Sequence, residues 1–299
     1  MISLKGPQSV VETLYVVSSA HAVKTNQTAA TGGDALASLR ASYHLMISDM
    51  QPVLRDVLPC ATVLPVAVGA GESHTGLVKA FIGSVAGEDS VDYDIFARLQ
   101  EHSEEELRLK RLPVEAALAE AERSWPEFRS LYELLVPVLL YAPDGGLAGG
   151  TASTVLGVLW LDPKEHWNTV DIQEFLLHEF IHHTLFLEER RFGFYKNMGL
   201  LVEDRYLTRS AIRQDRRPLD KVLHSIVVGT EVLLARHEKR IPHREGVELS
   251  LHPESGELLQ GVLTSLDEVF ALPLTELLRP RPIEILELCR ERLAAIPAS

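Results

Sequence analysis

The chain has 299 residues, of which 46% are hydrophobic, and it can therefore bury a large core as one big domain or as two lobes. A formal net charge of −13 argues against nucleic acid or an anionic membrane as the main partner. Its two cysteines, Cys60 and Cys289, form no metal-binding spacing or disulfide framework and suit a reducing compartment. We expect a soluble, cytoplasmic protein, since no signal peptide is recognisable and no stretch approaches the ~18 uncharged apolar residues of a membrane span.

The first 135 residues are predicted to form a helical region. Helical periodicity covers Gln8–Lys24, Ala35–Val57 and Asp92–Arg111, and Pro113 is predicted to open a further helix. The composition changes after this region. Val138–Tyr141 is short and apolar, and Thr154–Leu161 is rich in β-branched and apolar residues, so both segments are predicted to be strands.

An H-E-x-x-H motif follows the two predicted strands, in a helix that is predicted to start at Val170-Asp171. On a helix, His178 and His182 stand one turn apart on the same face, and Glu179 points to the side, where it can reach a bound water or substrate. The surrounding residues are largely apolar, which indicates a buried helix. Two buried imidazoles and a buried carboxylate are costly unless a cation pairs them, so the motif predicts a metal site.

The rest of the chain is predicted to be mainly helical. Pro218 opens a long helix that reaches about Arg236, the segment Ile241–Glu257 is predicted to be an exposed loop, and two helices follow near Leu258–Leu272 and Ile283–Ala295. The fold class is therefore predicted to be α+β and predominantly helical, with a zincin-like metal-binding helix beside a small sheet. We expect residues 1–135 to form an N-terminal helical region and residues 136–299 a metal-binding catalytic region, packed together as one compact unit.

The motif alone leaves the third metal ligand open, because catalytic ions commonly have three protein ligands. Glu203 lies 21 residues after the second histidine, a spacing that resembles the gluzincin metallopeptidases, although a salt bridge with Arg205 or Arg209 would also explain it. His224 lies in an otherwise apolar helix and is either a ligand or a hydrogen-bonded core histidine. Asp220, one turn earlier, could accept from its second ring nitrogen.

Three stretches together resemble a known family. The first is the Gly/Ser/Thr-rich Gly149–Leu161, the second is Leu176–His182, and the third, which discriminates best, is Arg213–His224. The combination resembles the HExxH-type peptide β-hydroxylases, which are Fe(II)- and 2-oxoglutarate-dependent enzymes found beside ribosomally made, post-translationally modified peptides. The resemblance spans about a third of the chain, from Gly149 to Arg236.

The resemblance implies that His178, His182 and His224 bind Fe(II) and that Glu179 acts beside the metal on a bound water or on the substrate. It also implies 2-oxoglutarate and O₂ as co-substrates and a peptide, such as a precursor peptide, as the substrate. A fixed cation must then pair with the distal carboxylate of 2-oxoglutarate. Arg217 is the first candidate, because it is predicted to lie about 10 Å, or two helical turns, before His224 on the same helix.

Within the oxygenase interpretation, Arg213 is a second candidate for the cation, on the segment that leads into the helix.

Two further interpretations stay open alongside the oxygenase. In a zinc metallopeptidase, Glu179 would instead deprotonate a zinc-bound water, with Glu203 as the third ligand. A purely structural metal is the third interpretation, which an open site with a carboxylate beside it disfavours.

Overall fold

The structure is a computed structural model that describes residues 1–26, 34–58, 65–84, 98–143, 148–241 and 251–296. Within these ranges the chain is predominantly helical and has a small mixed sheet, as expected for an α+β protein. No helix in the described ranges is long and apolar enough to cross a membrane. The chain divides into two compact units, one made of Met1–Val10 with Gln173–Ser299 and the other of Val11–Ile172.

This division differs from the predicted one at residues 135 and 136. The two predicted strands Val138–Tyr141 and Val158–Leu161 do not start the C-terminal unit, because they pair with a strand from the N-terminal half, Val66–Val68. The sequence analysis did not predict that third strand. The pairing therefore places the sheet in the unit Val11–Ile172.

The sheet of this unit has four strands. They are β1 (Val66–Val68), β2 (Val138–Tyr141), β3 (Gly149–Gly150) and β4 (Val158–Leu161), in the order β1-β2-β4-β3. β1, β2 and β4 are parallel and β3 is antiparallel to β4. All residues of β2 and β4 are buried, and such strands read as continuous apolar runs because both faces of a parallel sheet are covered.

Helices cover most of the rest of the N-terminal half. They are Pro7–Lys24, Ala35–Met50, Leu54–Val57, Gly71–Ser84, Glu104–Ser124 and Pro126–Leu135. The first confirms the prediction, whereas the predicted helix Ala35–Val57 is interrupted after Met50, where the Gln51 side chain turns to donate to the carbonyl of Thr154 at 3.1 Å. The helix Gly71–Ser84 was not predicted.

Pro113 lies inside a helix rather than at its start. The helix Glu104–Ser124 begins earlier, because Ser103 and Glu106 form a capping box in which each side chain bonds the other's backbone N–H, at 3.3 and 2.8 Å. The predicted helices Asp92–Arg111 and Pro113 onward are thus one helix from Glu104, and the prediction is wrong for residues 98–103, which are not helical; residues 92–97 lie outside the described residues.

The unit that contains the C-terminal half is built around one buried helix. Its elements are the helices Ile2–Lys5, Thr169–Phe192 (which begins in the other unit), Met198–Leu201, Leu219–His237, Ser255–Phe270, Leu274–Leu277 and Pro280–Leu293, a 3₁₀ turn Asp204–Tyr206, and the strand pair β5 (Thr208–Arg209) and β6 (Arg216–Arg217). The helix Leu219–His237, called the His224 helix below, is buried along nearly its whole length. It packs closely on the helix Ser255–Phe270, where a Cβ at Gly229 would lie 2.7 Å from a methyl group of Val262.

The motif-bearing helix, called the HExxH helix below, spans Thr169–Phe192. Asn168 fixes its start because the side-chain oxygen accepts from the backbone N–H groups of Val170 (2.7 Å) and Asp171 (3.1 Å), which confirms the predicted start. At the other end Gly193 adopts a left-handed φ of 60° and its N–H donates to the carbonyl of Glu189 at 2.7 Å.

The predicted exposed loop Ile241–Glu257 is only partly right in the part that the structure describes, where residues 251–254 are not helical and Glu254 is exposed. Residues 242–250 lie outside the described residues, but His252 is only 2% exposed and a helix already begins at Ser255. The two C-terminal helices that follow confirm the prediction, with bounds of Ser255–Phe270 and Pro280–Leu293.

Candidate metal centre

The HExxH helix brings the two motif histidines together. The Nε2 atoms of His178 and His182 lie 3.1 Å apart, and both side chains are half-buried. Glu179 is buried, with its Oε1 3.9 Å from Nε2 of His178. A separation near 3 Å is what two nitrogens have when each binds the same ion at about 2.1 Å in neighbouring positions. This pair therefore has the spacing of two metal ligands.

His224 joins the pair from the His224 helix. Its Nδ1 lies 2.8 Å from Nδ1 of His182, and its Nε2 lies 2.9 Å from Oε1 of Glu189. The predicted partner, Asp220, is wrong: it lies 3.7 Å from the ammonium group of Lys221 instead. Glu189 comes from the HExxH helix and also accepts from the hydroxyl of Tyr195 at 2.8 Å. His224 thus has a carboxylate hydrogen-bonded to its second ring nitrogen, as expected, but this carboxylate is that of Glu189 on the HExxH helix and not that of Asp220.

A fourth histidine, which the sequence analysis missed, contacts His178. Nε2 of His252 lies 2.8 Å from Nδ1 of His178, and its Nδ1 lies 3.0 Å from Oε2 of Glu174. Glu174 is in turn bound at both oxygens by the guanidinium of Arg236, at 2.6 and 2.8 Å. The same guanidinium donates to the carbonyl of Pro253 at 2.9 Å, so it holds the backbone next to His252 as well.

These contacts form one continuous row, called the histidine chain below. Its members in order are Glu174, His252, His178, His182, His224 and Glu189. The row has five contacts, and a neutral imidazole carries one N–H and one lone pair. Four neutral rings supply only four protons, so one of the five contacts joins two lone pairs. Such a contact is repulsive unless a cation lies there.

The two carboxylates indicate where that contact falls. Glu189 accepts a proton from Nε2 of His224, which leaves the Nδ1 lone pair of His224 facing His182. On the other side Glu174 fixes the Nδ1 proton of His252, whose Nε2 then accepts from Nδ1 of His178. The Nε2 lone pair of His178 therefore also faces His182. With a single proton of its own, the His182 ring satisfies one neighbour and leaves the other open to a cation.

The charges around the chain disfavour an additional proton as that cation. Burial lowers the pKa of His178 well below its usual range, and the neighbouring His252 and Arg213 lower it further. Burial and then His178 do the same to the pKa of His182. For Glu189, burial raises the pKa, but the hydrogen bonds from His224 and Tyr195 and the nearby positive charges together outweigh it, so the net shift is downward and the carboxyl stays ionised. His178 and His182 are thus neutral, which is the form that binds metals.

The rings as they stand do not yet form a three-ligand set. In the described part of the chain, no group of three or more His, Cys, Asp or Glu side chains is arranged to hold a metal ion. The geometry of His182 gives the reason, since it offers Nε2 to His178 and Nδ1 to His224. One ion can bind only one of these nitrogens, so a shared ion requires the His182 ring to turn.

The two arginines predicted to bind an anion lie in different environments. Arg217 is in β6 rather than in the helix, which begins at Leu219, and its Nε lies 3.1 Å from Asp215. The prediction that it shares a helix face with His224 is therefore wrong. Arg213 is exposed and its charge acts on His178; no carboxylate among the described residues pairs with it. Lys221 acts in the same way on His182.

Glu203, the alternative third ligand, is part of a surface salt bridge. It precedes the 3₁₀ turn Asp204–Tyr206, and its Oε2 lies 2.8 Å from the guanidinium of Arg205. It has no contact with the histidine chain among the hydrogen bonds and ion pairs of the described residues. The salt bridge is the simpler of the two explanations that the sequence left open.

Three residues of the histidine chain were not predicted from the sequence, and only two of them, Glu174 and Glu189, have a sequence pattern that could have identified them. Glu174 and Glu189 lie on the HExxH helix within about 80° of arc from the two motif histidines, so helical spacing could have found them. His252 lies outside any helix and 74 residues from His178, and no periodic pattern marks it.

Comparison of the chain with protein-family models gives no match, and comparison with curated proteins gives none either. The interpretation of the site therefore rests on its own residues: two carboxylates, four imidazoles joined in one row between them, and two cations whose charge reaches the central rings.

Proposed function

We propose that this protein is an Fe(II)- and 2-oxoglutarate-dependent oxygenase that hydroxylates a side-chain β-carbon of a peptide, with a zincin-like HExxH helix as its metal-bearing element. The observation that carries the proposal is the histidine chain, in which His182 faces two neighbours and can donate a proton to only one. Imidazole nitrogens suit iron, zinc, copper and nickel, so the donor set fits a redox-active ion.

The expected ligands are His178, His182 and His224. The Glu174–His252 pair favours the form of His178 that binds through Nε2, and Glu189 favours the form of His224 that binds through Nδ1. His182 would bind through a single nitrogen, for which its ring leaves one of its two present contacts. With three neutral imidazoles the ion keeps positions open for a co-substrate.

The centre is accessible from solvent on one side. About a fifth of the His178 and Glu189 side chains is exposed (20% each), whereas His252 and Glu174 on the inner side are at most 1% exposed. Small molecules can therefore approach the outer faces of His178 and His182, and the protein supports these rings from behind. That asymmetry is typical of a catalytic rather than a structural metal site.

Arg213 is our candidate for the distal carboxylate of 2-oxoglutarate. It is the unpaired cation, within the described residues, whose charge acts on His178, whereas Arg217 is already bound to Asp215. A guanidinium can bind a carboxylate through two parallel hydrogen bonds.

When bound, iron would supply oxygen activation, so that O₂, 2-oxoglutarate and the peptide C–H group become succinate, CO₂ and a peptide hydroxyl. Glu179 is buried next to His178 but lies to one side of the ligand face. We expect it to orient or move a proton at a water or at the substrate rather than to bind the ion. Its carboxylate would serve a zinc hydrolase equally well, which makes a metallopeptidase the competing function.

The test is metal content together with product analysis. Full-length protein reconstituted with Fe(II) should consume 2-oxoglutarate and O₂ and release succinate, and this release should increase with a cognate peptide that gains one oxygen atom. His224→Ala should abolish stoichiometric iron binding, whereas the exposed His237→Ala on the same helix is the matched control and should bind iron normally. Zinc-dependent peptide cleavage without any requirement for 2-oxoglutarate would show that the protein is a metallopeptidase.

A comparison of arginine variants tests the anion site separately. Arg213→Ala should raise the apparent KM for 2-oxoglutarate at least about tenfold, which corresponds to about 1.4 kcal/mol, without weakening iron binding. Arg217→Ala removes a guanidinium of the same segment that is bound to Asp215 and should change the KM little. A higher KM in Arg217→Ala together with an unchanged KM in Arg213→Ala would instead make Arg217 the residue that binds 2-oxoglutarate.

A further inference from the structure

We infer that His252, held by Glu174 and Arg236, is a positioning residue that fixes the ring orientation and tautomer of His178 for metal binding. This inference rests on the proposed metal site but names residues that lie outside its ligand set. Its basis is the direct contact between Nε2 of His252 and Nδ1 of His178, at 2.8 Å.

His252 is buried and held at both of its ring nitrogens. It is 2% exposed, its Nδ1 donates to Glu174 at 3.0 Å, and its ring meets that of His178 edge to edge, with the ring planes 22° apart and the centroids at 5.1 Å. Arg236 binds both oxygens of Glu174 and also the carbonyl of Pro253, the residue after His252. One buried guanidinium thus fixes both the carboxylate and the backbone that together orient this imidazole.

The consequence for His178 follows from the direction of the protons. Because the Nδ1–H of His252 donates to Glu174, the Nε2 of the neutral His252 ring is an acceptor, and His178 keeps its own proton on Nδ1 to donate to it. The lone pair of His178 is then confined to Nε2, the nitrogen that faces His182. A hydrogen-bond acceptor behind a metal-binding histidine fixes its orientation and increases its basicity, and removing it commonly weakens metal binding 10–100-fold, in order of magnitude.

The two outer histidines of the chain therefore have different roles despite their similar contacts. His224 is backed directly by Glu189 and presents a lone pair to the centre, as a ligand does. The Nε2 lone pair of His252 accepts a hydrogen bond from the Nδ1–H of His178, so this lone pair is not available to bind an ion. His252 consequently acts through His178 and not on the ion.

The experiment measures Co(II) binding to the full-length, metal-free chain by chelator competition and by the visible ligand-field spectrum. His252→Leu should raise the Co(II) dissociation constant at least about tenfold and alter the spectrum, with one binding site retained. His252→Gln should restore most of the affinity, because the glutamine amide can accept from His178 and donate to Glu174 at the same time. His237→Leu, at an exposed position, is the control and should bind Co(II) like the wild type.

The double variant Glu174→Gln/Arg236→Met removes both charges of the buried pair; it provides a second variant if His252→Leu fails to fold and should weaken Co(II) binding in the same direction. Unchanged affinity in folded His252→Leu and double-variant protein would overturn the inference, and so would a complete loss of the site in His252→Gln, which would make His252 a ligand. If the wild type itself binds no metal, the proposed function fails instead, and the two failures are thus distinguishable.

Discussion

Replacing Arg236 by methionine should destabilise the protein strongly. The guanidinium and Glu174 are 3% and 1% exposed and form two hydrogen bonds of 2.6 and 2.8 Å. Without Arg236 the Glu174 carboxylate would stay buried with only the N–H of His252 as a partner. Removing one member of a buried ion pair typically costs about 3–5 kcal/mol, because the remaining charge has lost its compensation.

The free energy of unfolding of metal-free Arg236→Met should therefore fall by about 3–5 kcal/mol, measured by urea denaturation with far-UV circular dichroism. The Tm should fall by roughly 10 °C, given about 2–4 °C per kcal/mol for a domain of this size. The double variant Glu174→Gln/Arg236→Met removes the charge as well and should recover about 1–3 kcal/mol of the loss. A single variant within about 1 kcal/mol of the wild type would refute the account of a buried, mutually compensating pair.

Three other predictions concern individual side chains. Glu179→Gln should keep the metal but slow turnover about 10²-fold or more, whereas Glu203→Gln should leave turnover unchanged; loss of metal in the first variant would mean that Glu179 is a ligand. Because burial keeps the pKa values of His178 and His182 well below their usual range, Co(II) binding at pH 7 should release almost no protons, as calorimetry in buffers of different ionisation enthalpy can measure, and release of a full proton would contradict this. Burial and the charge of Arg40 lower the pKa of His44 from 6.5 to about 4, so the unfolded chain binds more protons than the folded chain between these pH values. The free energy of unfolding should therefore decrease as the pH is lowered from 6.5 to about 4. His44→Gln should flatten this part of the curve in acid denaturation, and an unchanged slope would exclude His44 as the cause.

The local parts of the fold were predictable from the sequence, and the distant contacts were not. Periodicity and capping residues identified the HExxH helix, its start and the apolar His224 helix, because these signals lie within a few residues of each other. The parallel pairing of β1 with β2 joins Val66 to Val138, and nothing in either segment specifies the other as its partner. The predicted boundary at residue 135 differs from the observed division for this reason.

The candidate site shows the same limit. The motif predicted the adjacency of His178 and His182, because one helical turn fixes it. Arg217 was placed on a helix that in fact begins two residues later, and Pro218 before that start allows the chain to run as a strand. His252 was assigned to an exposed loop because its neighbours are polar and irregular, and only the tertiary contacts with Glu174 and His178 bury it.

An anaerobic titration of the metal-free chain with Fe(II), in the presence and absence of 2-oxoglutarate, tests the central claim most directly. The account predicts one Fe(II) per chain and a visible charge-transfer band that requires both Fe(II) and 2-oxoglutarate. His182→Ala should lose both signals, because His182 is the ring that faces the two lone pairs. Fe(II) bound without any spectral or affinity response to 2-oxoglutarate, or no stoichiometric metal in the wild type, would contradict it.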